Sequence, residues 1–252
     1  MKPFLLLGVR ADDAPSDNEY AAFLTFSGLD EASLHRVRLE QRPLGPIDLR
    51  DWSGVMLGGG PFNYTDPEDR KSAVQQRVEA DLDALLEQIV AADFPFLGAC
   101  YGIGALGTRI GAVLDRRYTE PVSCVPVTLT AEGRADPLLA GLPGTFSAFT
   151  GHKEAISKLP PQAVRLAGNE ACPVQMFRVG ANVYATQFHA EADALGMCTR
   201  VDAYKDLGYF PPEEADAVKA MAHDSDVAHP PRILRQFVTR YADYSPAPAP
   251  VS

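Results

Sequence analysis

The stretch that most constrains the fold of this chain is a short apolar run, Phe94–Leu97, that leads into Gly-Ala-Cys-Tyr-Gly at 98–102. An apolar stretch with helical spacing, Ile103 to Leu114, follows it. A strand that turns sharply into a helix, with small residues around a nucleophile, is a nucleophile elbow. The sequence therefore predicts Cys100 at the top of a sheet and at a helix N-terminus, where the helix dipole favours the nucleophilic thiolate. A buried free cysteine before a glycine-rich turn is the alternative.

A second motif supplies what a catalytic cysteine would need. Residues 183–191 read Val-Tyr-Ala-Thr-Gln-Phe-His-Ala-Glu, which predicts a strand that ends with His189 and Glu191. A nucleophilic thiol needs a base to take its proton, and that base needs an orienting carboxylate. The two residues are two positions apart, so the strand must bend after His189 for the carboxylate to reach the ring. A metal site is an alternative because His189, Glu191 and Asp193 alternate, but no other His/Cys cluster supports it. We predict no metal and no other cofactor.

Together with a glycine loop, these motifs resemble the class I (triad-type) glutamine amidotransferases. The sequence Gln-Phe-His-Ala-Glu at 187–191 is close to the family's Gln-Phe-His-Pro-Glu, and Val-Met-Leu-Gly-Gly-Gly-Pro at 55–61 looks like its strand and oxyanion loop. The order fits as well, because Cys100 follows the glycine loop by about 40 residues and His189 comes about 90 later. The resemblance covers roughly residues 1–192. It is strongest to the free-standing form of the domain that feeds ammonia to GMP synthase.

The resemblance implies an α/β fold, a flavodoxin-like three-layer sandwich with a mostly parallel central sheet. It implies that Cys100, His189 and Glu191 form a triad that hydrolyses the side-chain amide of glutamine through a γ-glutamyl thioester. Backbone N–H groups are implied as the oxyanion donors, namely those of Tyr101 and of Gly59 or Gly60. The implied substrate-binding residues are Gly104, Gly151 and His152, and a structural role in a loop is the alternative for His152.

Two positions depart from the family pattern. Gly104 stands where the family places a glutamine that contacts the substrate, and Ala190 replaces the proline before the glutamate. A glycine removes the side-chain hydrogen bonds that would hold the substrate, and a site that loses such contacts can lose much of its selectivity. We expect extra room beside Gly104, which could accept a larger γ-glutamyl or isopeptide amide.

Strands that alternate with helices predict a parallel sheet with right-handed crossovers. The predicted strands are Phe4–Val9, Leu34–Leu39, Trp52–Leu57 and a later set at 116–129, 164–167, 174–179 and 183–187. The predicted helices are Glu19–Ser27, a segment within 66–92, 215–222 and 233–241. We divide the chain into an amidotransferase-like domain (1–192), a helical extension that packs on it (193–244) and a Pro/Ala-rich tail expected to be disordered (245–252).

Composition narrows the partners. The net charge is −10, from 23 basic and 33 acidic residues, which argues against binding a nucleic-acid backbone. The four cysteines are widely spaced without a Cys-x-x-Cys motif, so a reducing cytoplasm is expected. No apolar stretch approaches the length needed to cross a membrane.

The sequence contains no P-loop and no Ser-Gly-Gly-x-Asp-Ser motif for activating an acceptor with ATP. We therefore expect that the chain either has a separate ATP-dependent synthetase for a partner or acts alone. The leading interpretation is an amidotransferase-type glutaminase. The alternatives are a stand-alone γ-glutamyl peptidase or amide hydrolase with the same triad, and a catalytically weak regulatory homologue.

Overall fold

The computed structural model of the protein describes residues 2–242 and 244. The tail at 245–252, expected to be disordered, lies outside the described residues. The strands are Phe4–Gly8 (β1), Leu34–Arg38 (β2), Gly54–Leu57 (β3), Phe96–Ala99 (β4), Val113–Asp115 (β5), Glu120–Leu129 (β6), Thr145–His152 (β7), Ala155–Lys158 (β8), Ala163–Gly168 (β9), Met176–Val179 (β10) and Val183–Thr186 (β11). The α-helices are Asp13–Ser27 (α1), Ala73–Ala91 (α2), Tyr101–Arg109 (α3), Ala131–Ala135 (α4), Ala194–Tyr204 (α5), Ala215–Asp224 (α6) and Pro231–Tyr241 (α7).

One large sheet organises the molecule, in the strand order β2-β1-β3-β4-β11-β10-β9-β6-β7. The strands from β2 to β11 in this order run parallel, and those from β11 onward pair antiparallel. The parallel part places the ends of β4 and β11 next to each other, because Ala99 pairs with Thr186. Residues that follow these two strands therefore emerge at the same edge of the sheet.

The parallel strands are apolar on both faces because helices cover both. Along β1, Leu5 and Leu7 pack into one core with α2 and α3, whereas Phe4 and Leu6 pack into a second core with α1 and α7. This alternation follows from the opposite directions of successive side chains on a strand. The result is the predicted three-layer α/β fold.

Some helices differ from the sequence prediction. Helix α1 begins at Asp13 rather than Glu19, because Pro15 falls in the first helical turn, where a missing N–H is tolerated. Helix α3 ends at Arg109, well before Leu114, and Gly111 follows in the left-handed region with φ 80°. Helix α5 was not predicted. Its start is fixed by Asp193, whose side chain accepts a hydrogen bond from the N–H of Gly196 at 2.7 Å.

The helices after residue 193 pack against the rest of the chain. Helices α5 and α7 both contact α1, and α6 lies against α5 and β6. Leu234 and Phe237 of α7 are buried in the same core as Phe4 and Phe23. In the part of the chain that the structure describes, each helix is too short or too polar to span a lipid bilayer.

Candidate active site

Cys100 lies at the turn between β4 and α3. Its backbone is in an unusual positive-φ conformation (φ 52°, ψ −93°), and its N–H donates to the Thr186 carbonyl at 2.8 Å. A non-glycine residue held at positive φ is strained, and such strain collects at functional sites. The turn requires Gly98, because a Cβ there would lie 2.9 Å from the backbone of Gly102. The structure thus has the geometry of the predicted elbow, with the thiol partly exposed.

His189 and Glu191 follow β11 at the same edge of the sheet. The His189 Nδ1 lies 2.7 Å from Glu191 Oε1, so the chain makes the bend that the pairing needs. The bend is held by Thr186, whose hydroxyl donates to the Phe188 carbonyl at 2.8 Å. Because Nδ1 faces a carboxylate, it bears a proton, and Nε2 is the nitrogen that can exchange a proton with a reacting group. His189 is 5% exposed and Glu191 is fully buried.

Gly59 shows how closely the glycine loop, the thiol and the imidazole approach one another. A Cβ on this residue would lie 2.8 Å from His189 Cε1 and 3.4 Å from Cys100 Cβ. A real Cβ would therefore displace the imidazole, and only glycine leaves the ring room beside Cys100.

Charge around the pair favours a charged imidazole. Burial would lower the pKa of His189, but Glu191 and Cys100 outweigh it and raise the pKa to about 9. Burial would raise the pKa of Glu191, but His189 and Arg200 lower it well below its usual range. The carboxylate is therefore held ionised beside an imidazole that accepts a proton readily.

A buried network of charges extends beyond Glu191. Arg200, from α5, donates from Nη2 to Glu191 Oε1 at 2.9 Å. The same nitrogen lies 3.7 Å from Glu19 Oε1, which accepts from Arg10 Nε at 2.9 Å. Arg10 also donates to the Tyr204 hydroxyl at 3.1 Å. Sequence reasoning missed these residues. The one available signal was a pair of charges, Arg10 and Glu19, close to segments predicted to be buried.

Of the three residues predicted to donate N–H groups to an oxyanion, Gly59 differs from Gly60 and Tyr101. The N–H of Gly59 already donates to Glu19 Oε1 at 3.2 Å. Gly60 and Tyr101, in contrast, both line the cleft beside Cys100. Of the two glycines named from the sequence, Gly60 is the one at the cleft wall.

A cleft with about 350 Å³ of open space lies on the elbow side of Cys100. The predicted residues Gly104, Gly151 and His152 all line it, together with Lys153 and Glu154. The expected extra room beside Gly104 is absent. A Cβ there would lie 3.0 Å from Glu154 Oε1 and 3.2 Å from Tyr64 Cδ2, so these side chains fill the space.

Glu154 is held in place by the loop that follows the glycines. Its two carboxylate oxygens accept hydrogen bonds from the N–H groups of Tyr64 and Thr65, at 3.0 and 2.8 Å. Burial raises the pKa of this carboxyl. The cleft therefore contains a buried carboxylate at the position where Gly104 lacks a side chain.

His152 lies in the wall of the cleft, but its ring is engaged elsewhere. Nδ1 lies 2.9 Å from the Glu154 carbonyl, and Nε2 lies 2.8 Å from Glu120 Oε2. Glu120 also accepts from Asn169 and Gln175. With both nitrogens bonded within the protein, the ring supports the cleft wall and offers a substrate no free donor or acceptor.

The residues considered for a metal do not converge. Asp193 caps α5, whereas Glu191 faces His189 and Arg200. Among the described residues, a group with ligand atoms within 4.8 Å of one another is instead formed by Glu120, His152 and Cys172. In this group the hydrogen bonds between His152, Glu120, Asn169 and Gln175 account for the polar atoms of the imidazole and the carboxylate.

The comparisons with known proteins agree on one family. Residues 31–195 match the sequence model of the family described as glutamine amidotransferase class-I. Among curated proteins, a glutamine amidotransferase-like protein, YfeJ, of Salmonella typhimurium is 27% identical over 58% of this chain and 59% of its own length. A glutamine-hydrolyzing GMP synthase subunit of Thermoplasma volcanium is 28% identical over 62% of this chain and 68% of that protein.

The chain spans less than two thirds of the length of the first curated relatives that it matches, 59% of YfeJ and 26% of the GMP synthase of Petrotoga mobilis. Solved structures extend the likeness over nearly the whole chain. A glutamine amidotransferase of Thermotoga maritima superposes with a TM-score of 0.77 at 20% identity, covering 97% of this chain and 100% of that one. One from Methylobacillus flagellatus gives 0.71 at 22% identity, covering 96% and 94%. At this identity the likeness establishes the fold.

Proposed function

Because the chain belongs to the class I glutamine amidotransferase family, we propose that it hydrolyses the side-chain amide of γ-glutamyl compounds, glutamine among them. The observation that best supports this activity is the buried His189–Glu191 pair at 2.7 Å, which ends the strand next to the one that presents Cys100. A thiol at an elbow, a base and an orienting carboxylate are the parts that nucleophilic acyl transfer needs.

The first step is the attack of Cys100 on the amide. His189 Nε2 takes the proton of the Cys100 thiol, and the sulfur attacks the amide carbon of the γ-glutamyl group. The carbonyl oxygen then becomes an oxyanion, which the N–H groups of Tyr101 and Gly60 stabilise. In other enzymes the loss of one such donor raises the barrier by about 3 kcal/mol. Gly59 contributes to the loop rather than to the oxyanion, because its N–H is bonded to Glu19.

The second step releases the two products in turn. The imidazolium gives its proton to the departing nitrogen as the C–N bond breaks, and a γ-glutamyl thioester remains on Cys100. His189 then deprotonates a water molecule, which attacks the thioester and releases the glutamyl product, and the thiol regains its proton. Glu191 keeps the imidazole in one tautomer throughout and stabilises its charged form, while Arg200 keeps Glu191 ionised.

The elbow-side cleft suits the amino-acid end of the acyl group. Lys153 and Glu154 both line it and have opposite charges. Glu154 favours an ammonium group and Lys153 favours a carboxylate. The pair therefore fits the α-ammonium and α-carboxylate groups of the γ-glutamyl residue. This assignment gives a role to Glu154, which is buried beside Gly104, the position where the family has a glutamine residue.

The family suggests a partner for the chain, and its cysteines suggest a compartment. Relatives named as separate subunits of GMP synthase support an ATP-dependent synthetase partner that receives the ammonia, and direct hydrolysis is the alternative. The cysteines are free thiols, which fits a reducing compartment, and we place the chain in the cytoplasm.

The test is glutamate release from glutamine and from γ-glutamyl-p-nitroanilide by wild type and by Cys100→Ala, with Cys124→Ala as the matched control. Cys124 is a second partly exposed thiol outside the cleft. We expect turnover to vanish in Cys100→Ala and to persist in Cys124→Ala, and a glutamine-like chloroketone to label Cys100. Turnover that survives Cys100→Ala overturns the proposal. So does the absence of both turnover and labelling in the wild type.

A further inference from the structure

A second cleft lies on the other side of Cys100, with about 440 Å³ of open space. Cys100, Gly60, Gly151 and Tyr209 line both clefts, so the thiol stands at their junction. His189 lines only the second cleft. We refer to this space as the His189-side cleft.

The position of His189 fixes which part of a substrate enters which cleft. The general acid must reach the nitrogen that departs, so the leaving group lies on the side of the imidazole. The acyl group then extends the other way, past the oxyanion donors Gly60 and Tyr101 toward Glu154. The His189-side cleft is therefore the place of the leaving amine.

The walls of this cleft are largely apolar. They come from the helical extension after residue 193 and from β6, through Met197, Val201, Tyr204, Phe210 and Val122. Ammonia, the leaving group of glutamine, would contact almost none of this surface. An apolar side chain on the leaving amine would bury area there, and the removal of apolar area from water favours binding.

Two arginines add positive charge to the same walls. Arg10 and Arg200 line the cleft, whereas their acidic partners Glu19 and Glu191 do not. In the described protein, Nε and Nη1 of Arg200 and the Thr150 hydroxyl are buried without a hydrogen-bond partner. Arg200 is only 5% exposed, and buried polar groups of this kind call for an acceptor. A carboxylate matches the planar fork of donors that a guanidinium presents.

We propose that the His189-side cleft binds the leaving half of a γ-glutamyl amino acid whose side chain is apolar, with its carboxylate at Arg10 and Arg200. This inference rests on the proposed function and names its substrate class. It is also consistent with the filled space at Gly104, because the extra room for a larger substrate then lies beside the leaving group. The γ-amide C–N bond breaks, and the imidazolium proton goes to the nitrogen of the departing amino acid. Water then hydrolyses the thioester on Cys100, which releases glutamate and restores the thiol.

Four substrates separate the parts of the proposal: glutamine, γ-glutamylphenylalanine, γ-glutamylglycine and γ-glutamyl-2-phenylethylamine. The glycine conjugate lacks the apolar side chain, and the phenylethylamine conjugate lacks the carboxylate. We expect kcat/KM for γ-glutamylphenylalanine to exceed that of each other substrate at least tenfold. Equal values for the phenylalanine and glycine conjugates, or a preference for glutamine, overturn the inference.

Binding to Cys100→Ala, measured by calorimetry, tests the cleft without catalysis. We expect γ-glutamylphenylalanine to bind at least tenfold more tightly than glutamine. This preference without any turnover by wild type would reject the proposed function and leave the cleft assignment standing. Turnover of glutamine without a binding preference would reject the cleft assignment and leave the proposed function standing.

A pair of variants tests the wall itself. Phe210→Ala removes an aromatic side chain of the cleft, and Leu207→Ala shortens an apolar residue nearby that is 43% exposed and does not line it. We expect the preference for γ-glutamylphenylalanine over glutamine to fall at least fivefold in Phe210→Ala and to match wild type in Leu207→Ala. An unchanged preference in Phe210→Ala contradicts the assignment, and the substrate panel on wild type decides the matter if that variant fails to fold.

Discussion

The carboxylate of Glu19, on the first helix, accepts a hydrogen bond from the N–H of Gly59 in the glycine loop, at 3.2 Å. The same oxygen receives Arg10 Nε and lies near Arg200. One buried acid therefore holds the glycine loop and two arginines beside His189 and Glu191. The glycine loop is positioned by a side chain from a separate layer of the fold, which links the geometry of the proposed active site to the packing of α1.

Gly59→Ala should disturb the site through its Cβ. That atom would lie 2.8 Å from both His189 Cε1 and Arg10 Nη2. We expect kcat to fall at least tenfold because the imidazole moves away from the thiol, a geometric effect that positioning alone can produce. Steady-state kinetics measure it. Gly144→Ala is the control, since a Cβ there meets nothing within 4 Å, and equal kinetics in the two variants would refute the prediction.

Arg200→Met should act through Glu191, because it removes the side chain that holds this carboxylate in position. Removing one partner of a buried ion pair destabilises proteins by about 3–5 kcal/mol, because the other charge stays buried and unpaired. We expect a loss of that order in denaturant unfolding and an increase in the pKa of His189, which Arg200 lowers. The ring titration, followed by NMR, separates positioning from simple destabilisation. Arg200→Lys should recover part of both effects, and Arg50→Met, at an 81% exposed side chain, should produce neither.

His189 should make stability depend on alkaline pH. Its pKa is raised from 6.5 to about 9 in the folded protein, so its protonated form stabilises the fold. That contribution is fully present below pH 6.5 and disappears as the pH rises through about 9. We expect the difference in unfolding free energy between wild type and His189→Gln to shrink over this interval. Urea titrations at a series of pH values measure it, and a difference that grows with pH would contradict the assignment.

Gly104→Gln, which restores the family residue, should destabilise the protein. The space for its side chain is filled by Glu154 and Tyr64, at 3.0 and 3.2 Å from the new Cβ. Overpacking of this kind costs about 1–3 kcal/mol. Thermal and chemical unfolding should show the loss, and the double variant with Tyr64→Ala should regain part of it. Gly144→Gln, in open space, should be nearly neutral. A Gly104→Gln protein as stable as wild type would show that Tyr64 moves aside freely.

The sequence predicted the parts of the site that local rules control. A nucleophile between small residues after an apolar run has few possible geometries, and His189 and Glu191 follow a strand that the apolar pattern identifies. The parallel pairing of β4 and β11 then brings them to Cys100 without further information. Apolar runs covered on both faces gave the layers of the fold for the same reason.

The charge network could not be predicted in this way. Arg10 and Glu19 lie near each other in the first part of the chain, whereas Arg200 comes from α5, and no spacing rule connects α5 to them. Helix α5 contains Gly196 and Thr199, which are weak helix formers, so its pattern gave little signal. Its helical state depends on a cap and on packing against α1, which become visible only in three dimensions.

The charge network extends beyond the part of the chain that matches the family. The family match covers 31–195 and includes Cys100, His189 and Glu191. Arg10, Glu19 and Arg200 all fall outside it, although their network binds the glycine loop and the Glu191 carboxylate. A fragment trimmed to the matched residues would keep Cys100, His189 and Glu191 and lose the buried charges of Arg10, Glu19 and Arg200. A reagent designed against the matched residues alone would therefore leave Arg10, Glu19 and Arg200 untouched.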